Sequence, residues 1–199
     1  MEFPLELAYV NGKITSLKEA TISILDRGFI FGDGVYEVIR LYRSQPFLLE
    51  EHLHRLYEGL KKIRIEGLPP YEELRSIALR MIEKSKIRHG ILYIQITRGI
   101  ARRITAFPEN TRPSIVMYIE KFLERASLFR HEVVSVKTVR DIRWQNNSIK
   151  SINLLPKVLF GQEAQENGCY EIVYKDDDGK ILEGTNTNVF SVKNQEVIT

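Results

Sequence analysis

Cysteine is almost missing from this chain, with Cys169 the only one in 199 residues. No disulfide can close within it, which fits a reducing compartment and a cytoplasmic location. Long apolar runs are missing as well. No stretch approaches the roughly 20 residues that span a bilayer. The start, Met1-Glu2-Phe3-Pro4, has no basic segment ahead of an apolar one, so no secretory leader is expected. Nor is there a strong excess of either charge. The 29 basic and 26 acidic residues leave a formal +3, and most basic residues sit beside acidic ones. That pattern draws no nucleic-acid stripe. There is no Gly-x-x-x-x-Gly-Lys-Ser/Thr phosphate loop and no Gly-x-Ser-x-Gly nucleophile elbow. His52 and His54 are two apart in an expected helix and point to different faces, so no metal site is expected.

What is present reads as an α+β protein. An apolar fraction of 43% supports a core, and the length suits one large or two small domains. Asn11-Gly12 between Leu7–Val10 and Lys13–Thr15 marks a two-residue hairpin. Gly28, Gly32 and Gly34 mark tight turns around aromatic residues before a strand, Tyr36 to Tyr42, whose expected hairpin partner is Phe47 to Leu49. Two helices follow. Glu50 to Ile65 carries the stripe Leu53, Leu56, Leu60, Ile63, and a second, opened by Pro69-Pro70, buries Leu74, Ile77, Ala78, Met81 and Ile82. Strands are expected at Ile91–Arg98 and Ser114–Ile119, on either side of a cationic loop with Arg102, Arg103 and Arg112. The charged, weakly patterned stretch from Glu120 to Phe129 suggests a boundary, giving domains 1–120 and 121–199. Beyond it come a strand at Glu132–Val139, a hairpin of Tyr170–Tyr174 with Lys180–Leu182 around Asp178-Gly179, and strands at Val189–Val192 and from Glu196.

The stretch from Asp141 to Phe160 carries the chemistry. Polar turn formers lead to Lys150, flanked by Ile149 and Ile152, and a helix is expected next, with Asn153 as N-cap and Gly168 as its stop. Taken alone Lys150 is a surface loop lysine. Partly desolvated at an element boundary, its amine becomes a nucleophile or base.

Five stretches together resemble the fold-type IV pyridoxal-phosphate enzymes. They are Asp26–Val38, Glu51–Leu56, Ile96–Gly99, Asp141–Trp144 with Ile149–Leu155, and Glu183–Phe190, matched in order and spacing. The D-amino acid aminotransferases are the nearest likeness; branched-chain aminotransferases and aminodeoxychorismate lyase share the frame. The resemblance implies two domains with pyridoxal 5'-phosphate in the cleft between them. It makes Lys150 the residue that holds the cofactor covalently and moves a proton between the substrate and the cofactor. It makes Glu183 the carboxylate that keeps the pyridine nitrogen protonated, and Arg55 the phosphate-binding guanidinium. Arg143 would lie near the phenolic oxygen, and the Thr185–Asn188 loop, with Asn186 and Thr187, would line the cofactor face.

For the substrate, the resemblance assigns Tyr36 and Arg103 to the carboxylate, with Arg103 reaching in from the other subunit of a homodimer. Thr105 stands where the D-amino acid enzymes have a histidine, and Arg40 stands where they carry a lysine. The implied reaction is transamination between a D-amino acid and a 2-oxo acid such as 2-oxoglutarate. The alternatives are an L-branched-chain aminotransferase, a lyase acting on aminodeoxychorismate, or a non-catalytic fragment. Family members continue well beyond the position of Thr199, so a truncated or cleaved enzyme with an incomplete second domain is expected.

Overall fold

The structure is a computed structural model that describes residues 6–122 and 133–199. The chain divides into two compact units, Met1–Arg125 with Ser148–Ile152, and Ala126–Asn147 with Asn153–Thr199. The boundary expected at residues 120 and 121 falls at the end of a strand that runs to Lys121, and most of the charged stretch behind it lies outside the described residues. Among the described residues no helix is long and apolar enough to cross a membrane, and no group of three or more His, Cys, Asp or Glu side chains could hold a metal ion.

The first unit contains strands β1 (Leu7–Val10) and β2 (Lys13–Ser16), helix α1 (Arg27–Phe31), strands β3 (Gly34–Tyr42) and β4 (Gln45–Pro46), helices α2 (Leu49–Lys62) and α3 (Tyr71–Ser85), and strands β5 (His89–Thr97) and β6 (Ser114–Lys121). The six strands form one sheet in the order β2-β1-β6-β5-β3-β4. Asn11 and Gly12 turn the first hairpin with φ of 48° and 99°, as its sequence requires. The partner of β3 differs from the expectation. Arg43 and Ser44, both at positive φ, close a tighter turn, so Gln45–Pro46 pairs with Leu41 and Tyr42, and Leu49 already begins α2. Alternation along β3 sends Val35, Ile39 and Leu41 into a core shared with Leu53, Leu56 and Leu60 of α2 and Leu74, Ile77 and Met81 of α3. Tyr36, Val38 and Arg40 take the opposite face. Glu37 falls within the apolar series and is fully buried.

The second unit has a three-stranded sheet of β7 (Val136–Arg140), β8 (Glu171–Lys175) and β9 (Ile181–Gly184), in the order β7-β8-β9. Strands β7 and β8 run parallel, which needs a crossover, and helix α4 (Leu155–Glu166) lies on that connection. The β7 strand runs to Arg140, slightly beyond the expected end, and the expected start at Glu132 lies outside the described residues. The N-cap of α4 is Leu154, not Asn153, and no side chain caps it; Pro156 in the first turn supplies the helix-compatible φ instead. Phe160 packs edge-on against Tyr174, and Lys137 pairs with Glu163 at 2.7 Å, so α4 meets the sheet through that side. Leu155, Val158 and Leu159 face outward and are more than half exposed. The hairpin of β10 (Ser191–Lys193) and β11 (Glu196–Ile198) turns at Asn194-Gln195, both at positive φ.

Candidate active site

Lys150 is held by backbone pairing to β3. The amide of Tyr36 donates to the Lys150 carbonyl at 3.0 Å, the amide of Ile152 donates to the Gly34 carbonyl at 3.2 Å, and Val35 bridges Ser151. Ile149 packs against the core below. Gly34 makes this approach possible, since a Cβ there would stand 2.6 Å from the Ile96 carbonyl oxygen and 3.2 Å from Ile152 Cδ1. The result places Lys150 Nζ 4.5 Å from the centre of the Tyr36 ring. A half-buried lysine with its amine over an aromatic face differs from the loose end of a surface loop. Tyr36 in turn stacks on Tyr93, and Tyr93 on Tyr118, with ring centres 5.7 and 4.7 Å apart. Arg40 lies further along the same face of β3, 4.1 Å from the Phe122 ring.

Arg55 lies on α2 and grips the buried Glu37. Its Nε and Nη2 donate to the two carboxylate oxygens at 2.5 and 2.7 Å, and His52 Nδ1 is 2.7 Å from the same carboxylate. Burial alone would push the Glu37 carboxyl up, but the bonds from Arg55 and His52 together outweigh it and hold the carboxyl below its usual range. The Arg55 side chain is 54% exposed, so one edge of its fork is fixed and Nη1 is not used in the pair. That is a suitable posture for an anion ligand.

In the second unit the structure brings Arg143 and Glu183 into direct contact as an ion pair. Asp141 holds the same guanidinium from the other side, accepting at 2.9 and 2.7 Å, and the Tyr174 ring lies 4.1 Å beneath it. Burial opposes the charge of Arg143, but Asp141 and Glu183 together raise its pKa. Tyr174 Oη is buried with no hydrogen-bond partner among the described residues, and burial pushes its pKa up to about 12, which keeps it a donor. Asn186 and Thr187 stand on a loop organised by a residue that sequence reading missed. Buried Glu171 accepts from the Thr185 hydroxyl at 2.9 Å and also from the Asn186 amide and the Thr187 hydroxyl. The one available sign was a glutamate directly ahead of the run Ile172-Val173-Tyr174.

Arg103 and Thr105 lie on the loop between β5 and β6 and are exposed. The Arg103 guanidinium is 5.6 Å from the Phe31 ring, and Thr105 contributes only its carbonyl to a bond with Arg27. The expected residues therefore form separate groups: Tyr36 with Lys150, Arg55 on Glu37, Arg143 with Glu183, and Asn186 with Thr187 on Glu171. Within the first unit, an amine over a ring and a forked cation on a helix are donors for an anionic, carbonyl-bearing group. Within the second, a carboxylate paired to a guanidinium and a pinned hydroxyl loop suit a heteroaromatic ring. The Tyr174 hydroxyl, buried and without a hydrogen-bond partner among the described residues, is a further donor in the second unit. Each group, within its own unit, suits a part of pyridoxal phosphate.

The sequence model of the amino-transferase class IV family matches residues 34–199. The chain belongs to that family, whose fold-type IV enzymes use pyridoxal phosphate. Among curated proteins it is 36% identical to a D-alanine aminotransferase of Bacillus licheniformis over 95% of this chain and 66% of that protein. It thus spans about two thirds of that relative's length. Among solved structures it superimposes on the Escherichia coli branched-chain amino acid aminotransferase with a TM-score of 0.85 at 21% identity, covering 97% of this chain and 67% of that one. The branched-chain aminotransferase of the thermophilic archaeon Thermoproteus uzoniensis, solved with norvaline, gives 0.83 at 20% identity over 96% and 66%. At these identities the structural matches establish the shared fold.

Proposed function

We propose that this chain carries the cofactor-holding machinery of a transaminase that moves an amino group from a D-amino acid to a 2-oxo acid such as 2-oxoglutarate. The observation that carries the reading is Lys150, locked by backbone pairing to β3 with its amine over the Tyr36 ring. When bound, pyridoxal phosphate supplies an aldehyde carbon for covalent capture of an amine and a ring that draws electrons from the substrate's Cα–H bond. Lys150 would hold the cofactor through its amine, and the same amine would take and return the substrate's Cα proton. Glu183 would accept from the cofactor's ring nitrogen and keep its proton on, and Arg143 would offer its charge to the cofactor's phenolic oxygen. Arg55 binds phosphate, with Asn186 and Thr187 lining the ring. Tyr36 and Arg103 bind the substrate carboxylate, Arg103 from the second copy of a homodimer.

The likeness to D-alanine aminotransferase supports a D-amino donor. Arg40 and Thr105, which depart from the D-amino acid pattern, favour a second reading, an L-branched-chain aminotransferase. The test has two stages. Borohydride reduction of the chain with pyridoxal phosphate should fix the label on the peptide containing Lys150, and Lys150→Ala should abolish the labelling; labelling elsewhere, or none, overturns the assignment. D-Alanine and L-leucine are then compared as donors to 2-oxoglutarate, and a preference for L-leucine transfers the conclusion to the second reading.

A further inference from the structure

Asp26-Arg27-Gly28, Asp33 and Arg98 have no part in the chemistry above, yet they form a closely bonded charged cluster. Arg27 and Arg98 are only 3% and 7% exposed. A buried guanidinium needs a counter-charge and acceptors, and Asp33 pairs with both arginines. Asp33 accepts from Arg27 Nε at 2.8 Å, from Arg98 Nε at 2.8 Å and from Arg98 Nη2 at 3.0 Å. Arg98 Nη1 and Nη2 also donate to the carbonyls of Arg64 and Ile63, both at 2.8 Å, at the end of α2. Nη1 and Nη2 of Arg27 reach the loop between β5 and β6, at the carbonyls of Ile104 (2.5 Å) and Thr105 (3.4 Å).

The loop is pinned at further points. The Arg27 amide donates to the Gly99 carbonyl at 2.8 Å, and Asp26 accepts from the Gly28 amide at 2.8 Å and the Thr97 hydroxyl at 3.0 Å. Gly28 lies where a Cβ would collide with the Thr97 methyl. Gly99, at φ +99°, is pressed against the Arg112 carbonyl and so closes the base of the loop. On the far flank the Phe107 ring lies 3.7 Å from the Arg98 guanidinium. The exposed pair Arg102 and Arg103 stands between these anchors, and Phe31 of α1 has Arg27 4.8 Å and Arg103 5.6 Å from its ring.

We propose that Arg27 is a positioning residue for substrate binding: its bonds to the Ile104 and Thr105 carbonyls, with Asp33 as its counter-charge, hold the loop so that Arg102 and Arg103 are preset for the carboxylate of the amino acid or 2-oxo acid. Ordering a loop and two long cationic side chains at the moment of binding would lower affinity, and a loop fixed beforehand avoids that loss. The proposal rests on the reading of Arg103 as a carboxylate ligand.

The experiment compares the cofactor-loaded chain with its Arg27→Lys and Arg103→Ala variants by hydrogen exchange and steady-state kinetics. Arg27→Lys keeps a cation for Asp33 but cannot span both carbonyls. Loop amides of residues 100–111 should exchange about tenfold faster, the loss expected for a charge-assisted bond, while β5 amides keep their protection. KM for the amino donor should rise by about the same factor, with kcat and cofactor affinity held within about twofold. Unchanged loop exchange overturns the proposal, and so does faster exchange with an unchanged KM. Arg103→Ala separates the two readings: it should raise KM without altering loop exchange. An unchanged KM there overturns the role of Arg103, and with it the positioning role of Arg27. Should Arg27→Lys fail to fold, Arg27→Gln, which leaves Asp33 paired with Arg98 and buries no unmatched charge, gives the same readout; no gain in loop exchange overturns the proposal.

Discussion

Two side chains of β3, neighbours in sequence, do opposite jobs because a strand turns successive residues to opposite faces. Tyr36 offers its ring to Lys150, while Glu37 is sealed in the core and anchors Arg55 and His52. The ring, more than the hydroxyl, should seat the amine. Tyr36→Phe should preserve borohydride fixation at Lys150, whereas Tyr36→Ala, which removes the surface that orients the amine, should reduce it about three- to tenfold. Equal labelling in both variants would show that backbone pairing alone positions the lysine. For Glu37 the sign of the pH effect is set by its lowered pKa. A carboxyl depressed in the folded state contributes stability that is present above the unfolded value, about 4.5, and is lost as pH falls through the folded value. Thermal unfolding temperature should therefore drop on acidification below about pH 4.5. Glu37→Gln should be less stable at neutral pH and show a flatter acid limb; a limb as steep as native would remove Glu37 from the acid response.

Elements whose signals are local were legible in the sequence. The Asn11-Gly12 hairpin, the two helices with their apolar stripes and the turn at Asp178-Gly179 are set by residues a few positions apart, and each appears. What was illegible depends on partners far along the chain. Short α1 is capped by Asp26 and ended by Gly32 in the left-handed region, but its residues are held by Thr97, Gly99 and Ile104. Glu171 looks like any strand-end glutamate until the loop at 185–187 folds onto it. The residue types of the candidate site were readable, whereas the pairing of Arg143 with Glu183, and of Arg55 with Glu37, was not. Two substitutions probe these elements. Gly34→Ala would push a methyl toward the Ile96 carbonyl and the Ile152 side chain, where β3 receives the Lys150 segment. Overpacking of that kind should cost about 1–3 kcal/mol in denaturant unfolding, and it should weaken fixation at Lys150 beyond the loss of stability. Glu171→Gln leaves the loop with one acceptor fewer, so cofactor affinity measured by absorbance titration should fall about tenfold. Unaltered affinity would mean that the loop does not bear on the cofactor.

At the scale of the molecule, the residues assigned to one reaction are dispersed over two compact units, with Ser148–Ile152 counted in the first although the chain on both sides of it belongs to the second. Arg103 is placed on an exposed, well-anchored loop, as a group offered to a neighbour would be. If the reaction is shared between copies, Lys150→Ala and Arg103→Ala lesions fall in different sites of a mixed dimer. Lys150→Ala alone should be inactive, and Arg103→Ala alone should be slow at a donor concentration well below its raised KM. Dissociated and reassembled at equal amounts, half of the dimers should be mixed, and each mixed dimer would hold one site with both native residues and one with neither. Activity should then recover to about a quarter of native, and sedimentation should show the dimer throughout. Recovery depends on subunit exchange, so it should appear only after dissociation and not on simple mixing of cross-linked dimers. No recovery after verified exchange would place Arg103 and Lys150 in the same copy's site, and the carboxylate would then be bound within one chain.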